Sequence, residues 1–144
     1  MTDFSKPLIN RVANSGLITF KLENLFPKEE IMVFDIKNYL FRDLILREKD
    51  FREALKNHNW EQYRGKNLAI FCSNDAIIPL WAYMLVTVHA EPIANQIYQG
   101  NSERFIEFYF HKKINEIDFS QYQDQRVILK GCGEAPVPPF AYAE

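Results

Sequence analysis

Residues Trp60–Tyr83 and Phe119–Tyr142 align without a gap at an offset of 59. Gln62-Tyr63 falls on Gln121-Tyr122, and Ile78-Pro79-Leu80-Trp81-Ala82-Tyr83 falls on Val137-Pro138-Pro139-Phe140-Ala141-Tyr142. Between these anchors Asn67-Leu68-Ala69-Ile70 faces Arg126-Val127-Ile128-Leu129. A supersecondary unit used twice is expected to place a similar strand and a similar loop at two related sites. The repeat therefore constrains the architecture before any side chain's chemistry is considered. It names no reaction, and no catalytic signature accompanies it.

The pattern predicts an α/β (or α+β) fold whose repeated strand–helix units build a mainly parallel sheet, with an antiparallel hairpin at the N-terminal end. Residues 7–15 are expected to be a short helix closed by Gly16. Leu17–Glu23 alternates apolar and polar residues as a half-buried strand does. Pro27-Lys28-Glu29-Glu30 is a polar turn leading to a second strand, Ile31–Ile36, and the two strands are expected to pair antiparallel. Leu44–Leu46 is a further short strand candidate, with helix as the alternative. Asp50 is a good helix N-cap, followed by Phe51, Ala54 and Leu55 at helical spacing. The strands Asn67–Cys72 and Arg126–Gly131 are nearly all apolar, as expected of strands covered on both faces. They should lie parallel in one sheet. Pro79 and Pro138-Pro139 mark helix starts, because proline is tolerated in a helix's first turn. The first of these helices should run to His89, a strand should follow over Ile93–Gln99, and a helix should span Ser102 to about Glu116. One domain over 1–144 results: an N-terminal part (1–49), a first repeat unit (50–109) and a second (110–144). The second copy stops where its helix begins, which predicts a truncated or partner-completed unit.

Four blocks resemble a known family: Asn10-Arg11-Val12-Ala13-Asn14-Ser15-Gly16-Leu17-Ile18-Thr19, Leu44-Ile45-Leu46-Arg47-Glu48-Lys49-Asp50-Phe51-Arg52, Asp75-Ala76-Ile77-Ile78-Pro79-Leu80-Trp81-Ala82-Tyr83-Met84, and Lys130-Gly131-Cys132. They are similar to the bacterial, chiefly Bacteroidetes, family catalogued as domain of unknown function 2480. The resemblance spans essentially the whole chain. It implies no established activity. It does imply a further helix and strand with another cysteine beyond this chain's end, and an association with iron–sulfur cluster assembly genes.

Charge and hydropathy exclude several classes. The net charge is −2 and the largest basic cluster is Lys112-Lys113, so the linear sequence offers no phosphate-neutralising patch for nucleic acid. The longest apolar run, Leu80–Val88, is too short for a membrane span. Asp3 and Lys6 occupy the place of a signal peptide's apolar stretch, and two cysteines without a Cys-rich pattern agree with a reducing compartment. A cytoplasmic protein is expected.

Cys72 and Cys132 each fall at the carboxyl end of an expected parallel strand, where open α/β sheets bind ligands. On neighbouring strands about 5 Å apart the two thiols could share a transition metal or a substrate. Cys72, beside Phe71 in an apolar strand, has the alternative role of a small core hydrophobe. Cys132 lies between Gly131 and Gly133, where backbone can approach a ligand closely. Ser73-Asn74-Asp75 and Gly133-Glu134 are the polar centres of the two loops and candidate ligand contacts, and for Asp75 a cap on the following helix is the favoured alternative. A closed zinc site needs four ligands, and Asp75, Glu134, His58, His89 and His111 show no ligand spacing among themselves. His58 is expected in a turn, His89 as a helix C-terminal cap and His111 on a solvated face. Arg47-Glu48-Lys49-Asp50 alternates in sign, as an exposed salt-bridged surface does.

Three functions remain open: a non-enzymatic binding or accessory protein that holds a metal, a cluster precursor or a partner protein with these loops; a thiol enzyme with Cys132 as nucleophile, which needs a base in reach; or a structural subunit that pairs with a second copy.

Overall fold

A computed structural model of the chain describes residues 10–11 and 14–144. The helix expected over 7–15 lies largely outside the described residues. Elsewhere the chain is mixed α/β, and its ladders are all parallel among the described residues. The strands are β1 (Ile18–Lys21), β2 (Ile31–Asp35), β3 (Asn67–Phe71), β4 (Ile97–Gln99) and β5 (Val127–Lys130). The helices are α1 (Glu48–Asn57), α2 (Leu80–Ala90) and α3 (Ser102–Asn115). The chain divides into two compact units, one formed by Pro27–Tyr109 and the other by Met1–Phe26 with Phe110–Glu144.

The expected N-terminal antiparallel hairpin is replaced by two parallel pairings: β1 pairs with β5 and β2 pairs with β3. The link between β1 and β2 explains this. It carries a 3-10 turn at Leu22–Leu25 and then Pro27, so the chain does not reverse tightly. β2, Ile-Met-Val-Phe-Asp, is also close to the continuous apolar run that parallel strands show. Nor do the strands near 67–72 and 126–131 share one sheet. β3 is the central strand of β2-β3-β4, whereas β5 belongs to the separate pair β1-β5. The stretch 44–46 forms no strand. It contributes only an isolated antiparallel bridge, Phe41 with Ile45, around a turn in which Arg42 and Asp43 both have positive φ.

Local features nevertheless stand 59 residues apart. There are 3-10 turns at Trp60–Tyr63 and Phe119–Tyr122, and helical turns open at Leu80 and Pro139. Gly65 (φ +67°) and Asp124 (φ +59°) take the same left-handed conformation between turn and strand. Such a conformation is cheap for glycine and tolerated by aspartate.

The core of the Pro27–Tyr109 unit is aromatic. The rings of Tyr39, Phe34, Trp60 and His89 stack in series, with centroids 5.1, 5.7 and 5.1 Å apart and planes within 6° at each step. Phe51 and Leu55 of α1, one turn apart, are fully buried in the same cluster. Asp50 is not the N-cap of α1. The helix begins two residues earlier, so that Glu48 and Asp50 both lie in its first turn, where carboxylates favour the helix dipole. The strand β3 carries one buried polar residue, Asn67, whose amide donates to the Glu29 carbonyl and accepts from Asn95.

Candidate functional site

The ladder of β1 with β5 runs from Ile18↔Val127 to Lys21↔Lys130, so both strands end at one edge. Past Lys130 the chain leaves the ladder at Gly131-Cys132-Gly133. Past Lys21 it tightens into the 3-10 turn that buries Leu22 and turns Glu23 toward that edge. The segment Pro139–Tyr142 then folds back, burying Ala141 and returning the Tyr142 phenol to the loop. The result is an open cleft of about 370 Å³ lined by Glu23, Leu129, Lys130, Gly131, Cys132, Gly133 and Tyr142.

The two glycines are there because side chains occupy the space a Cβ would need. A Cβ on Gly131 would overlap the Tyr142 hydroxyl, lie 2.7 Å from its ring Cζ and touch Val137 at 3.4 Å. A Cβ on Gly133 would overlap the Glu23 carboxylate. Close approach, not an unusual φ, is what requires glycine at both positions. The Cys132 thiol between them is exposed. Partial desolvation pushes the Tyr142 phenol up from its ordinary pKa, and the charge of Cys132, a hydrogen bond with its side chain and the charge of Glu23 push the same way. A thiol, a carboxylate and a phenol thus border one cleft, and Lys130 lines it. Such a set can bind a polar ligand, and a thiol beside a carboxylate can also be a nucleophile beside a base. Glu134 is exposed and does not line the cleft.

The loop after β3 is built differently. Asp35, last residue of β2, accepts from the Ser73 hydroxyl at 2.6 Å, from the Ser73 N–H at 3.0 Å and from the Lys37 N–H at 3.0 Å. Burial pushes this carboxyl up, but the Ser73 hydroxyl, the two backbone donors and the Lys37 charge together hold it below its ordinary pKa. Asn74 donates to the Asp43 carbonyl and accepts from the Asp75 N–H, so this loop satisfies itself. Asp75 does not cap α2; Pro79 occupies the N-cap position without a side-chain bond. In their ladders Lys21 holds the place that Asp35 holds, and Cys132 the place of Ser73. The clasp that closes one loop is therefore absent from the other.

Cys72 is half-buried beside the Tyr83 phenol, which burial and then the Cys72 charge push up while a Gln99 hydrogen bond pulls it down. Cys72 and Cys132 follow strands of different sheets, so the neighbouring-strand geometry on which a shared metal was expected does not exist. Among the described residues no three His, Cys, Asp or Glu side chains gather as metal ligands.

Sequence reasoning missed Glu23 and Lys130, which carry no local signal, and left Tyr142 as a packing residue. It also missed the role of His58. Nδ1 of His58 lies 3.2 Å from the Tyr39 hydroxyl and Nε2 lies 3.0 Å from that of Tyr63, with the Gln62 amide 3.2 Å from Nε2. That Gln62 nitrogen also donates to the Asn59 carbonyl, which identifies it as the amide N. Nε2 is then the acceptor and Nδ1 carries the proton to Tyr39. Burial pushes His58 down and Tyr63 up to about 12. His89, expected as a dipole cap, lies in the last turn of α2 with its ring stacked on Trp60, and exposed His111 pairs with Glu144.

The chain belongs to the family described as "Protein of unknown function (DUF2480)", whose model matches residues 6–144. Neither the curated proteins nor the solved structures hold a significant match to it. Among the described residues no helix is long and apolar enough to cross a membrane.

Proposed function

We propose that this DUF2480 protein is a binding or accessory protein, built from two related halves, that contacts its ligand at the strand-end cleft around Cys132. One observation carries the reading: an exposed thiol sits in a cleft whose two glycines make room for Glu23 and Tyr142, while the corresponding loop of the other unit is closed by Asp35 and Ser73. Of the two strand-end loops, the unclasped one is the binding site, and Ser73, Asn74 and Asp75 serve to hold the other loop's shape. Lys130 and Glu23, both lining the cleft, favour a ligand or partner segment carrying both charge signs, with the thiol as a third contact. The link to iron–sulfur cluster assembly rests on the family resemblance alone, and a cytoplasmic location on the cysteine usage.

A second reading, a thiol enzyme with Cys132 as nucleophile, gains support from Glu23. Its carboxylate borders the same cleft and supplies the base that the sequence around Cys132 lacks.

Iodoacetamide labelling of the native protein at neutral pH, read by peptide mass, tests the site. Cys132 should react first. Gly133→Ala should change that rate without unfolding the protein, because the group displaced is the flexible end of Glu23. Equal labelling of Cys72 and Cys132, or a rate indifferent to Gly133→Ala, would remove the cleft from consideration. Activated-ester hydrolysis separates the two readings. Turnover lost in Cys132→Ser and slowed in Glu23→Gln supports the enzyme; a single acylation without turnover supports binding. Elemental analysis after anaerobic purification tests for a metal, which Cys132→Ser should release.

A further inference from the structure

Helix α2 reads Leu80-Trp81-Ala82-Tyr83-Met84-Leu85-Val86-Thr87-Val88-His89-Ala90, without a single Asp, Glu, Lys or Arg. A helix that is apolar all round is normally covered all round. This one is covered on one side only. Ala82, Val86 and Ala90 are completely buried, whereas Leu80 is 79%, Met84 68% and Val88 69% exposed. Those three recur every fourth residue and so form one ridge along the helix. Ile77, in the segment entering α2, is 94% exposed. The loop before α2 is tied to the 41–45 turn by Asn74 donating to the Asp43 carbonyl. That turn carries Leu44 and Ile45, 63% and 60% exposed.

We propose that this ridge is a dimer interface, occupied by α2 of a second copy of the same chain lying antiparallel across a two-fold axis near Met84. Three observations select that occupant. An antiparallel two-fold sets Met84 against Met84 and Leu80 against Val88, so apolar side chains meet along the whole ridge. The helix carries no Asp, Glu, Lys or Arg, so the two ridges meet without like-charge repulsion or burial of such an ion. The area is of the right order. Fully burying a Leu, Ile, Val or Met removes on the order of 100 Å² of apolar surface, so these six side chains, 60–94% exposed, supply roughly 400 Å² per copy, the apolar centre of an interface of about 800 Å² per partner.

The two-fold makes the test specific, because position 84 must face itself. The wild-type chain should have the mass of a dimer at tens of micromolar in analytical ultracentrifugation and dissociate on dilution. Met84→Lys and Met84→Glu, each placing like charges opposite one another, should each weaken association at least 100-fold. Both should keep the wild-type circular dichroism, since residue 84 is exposed. Mixing the two variants should restore the dimer, because Lys then faces Glu. A wild-type chain that stays monomeric at 200 µM overturns the proposal, as does a dimer that Met84→Lys leaves intact. Single variants that dissociate but do not recombine on mixing overturn the antiparallel arrangement, because position 84 then does not face itself across the two-fold.

Discussion

Truncating Asp35 to alanine should loosen the join between β2 and the loop after β3. The carboxylate accepts three hydrogen bonds, from the Ser73 hydroxyl at 2.6 Å and from the Ser73 and Lys37 N–H groups at 3.0 Å each. Bonds to a charged acceptor are worth about 1.5–3 kcal/mol each when sheltered. Here the donors are exposed, so water takes over both freed N–H groups and no buried orphan remains. The loss should therefore total about 2 kcal/mol rather than the sum. Ser73→Ala removes only the shortest bond and should cost about 1 kcal/mol. Once Asp35 is alanine, adding Ser73→Ala should cost almost nothing, a coupling of about 1 kcal/mol between the two positions. Urea unfolding read by tryptophan fluorescence gives each midpoint at constant slope. The pH dependence is a second check. The folded pKa of Asp35 lies below its ordinary value, so the unfolded chain binds the proton more readily, and the stabilisation is present above about pH 4 and lost as pH falls through the folded pKa. The gap between wild type and Asp35→Ala should close on acidification. A cost under about 0.5 kcal/mol, ordinary for an exposed site, or a gap unchanged from pH 7 to pH 2.5, would refute the clasp.

Two further outcomes follow from the aromatic core. Phe34→Ala opens a cavity in the middle of the four-ring stack and should cost about 3–5 kcal/mol in urea unfolding. His58 is pushed below its ordinary pKa of 6.5 by burial, so its protonation favours the unfolded chain. The wild-type midpoint should fall as pH drops below about 6.5, and His58→Gln should flatten that dependence.

The alternation in Leu17–Glu23 and the helical spacing of Phe51 and Leu55 made several strands and helices legible in the sequence, because backbone preference and burial periodicity act over a few neighbouring residues. The same local logic placed Cys132 between two glycines at a strand end. Pairing was not legible. A strand's own residues do not say which partner it takes, and β1 met β5 across the length of the chain while β2 met β3. Glu23 and Tyr142 entered the site for the same reason: each is brought to Cys132 by chain folded elsewhere, and neither has a neighbour in sequence that announces it. His58, flanked by two asparagines, read as a turn residue, yet two tyrosines from different turns satisfy both its ring nitrogens. Local sequence decides which elements form, since that depends on each residue's own torsions and neighbours. Ladder partners, the cleft and the half-buried histidine depend on contacts between residues apart in the chain, and only the tertiary structure brings those together.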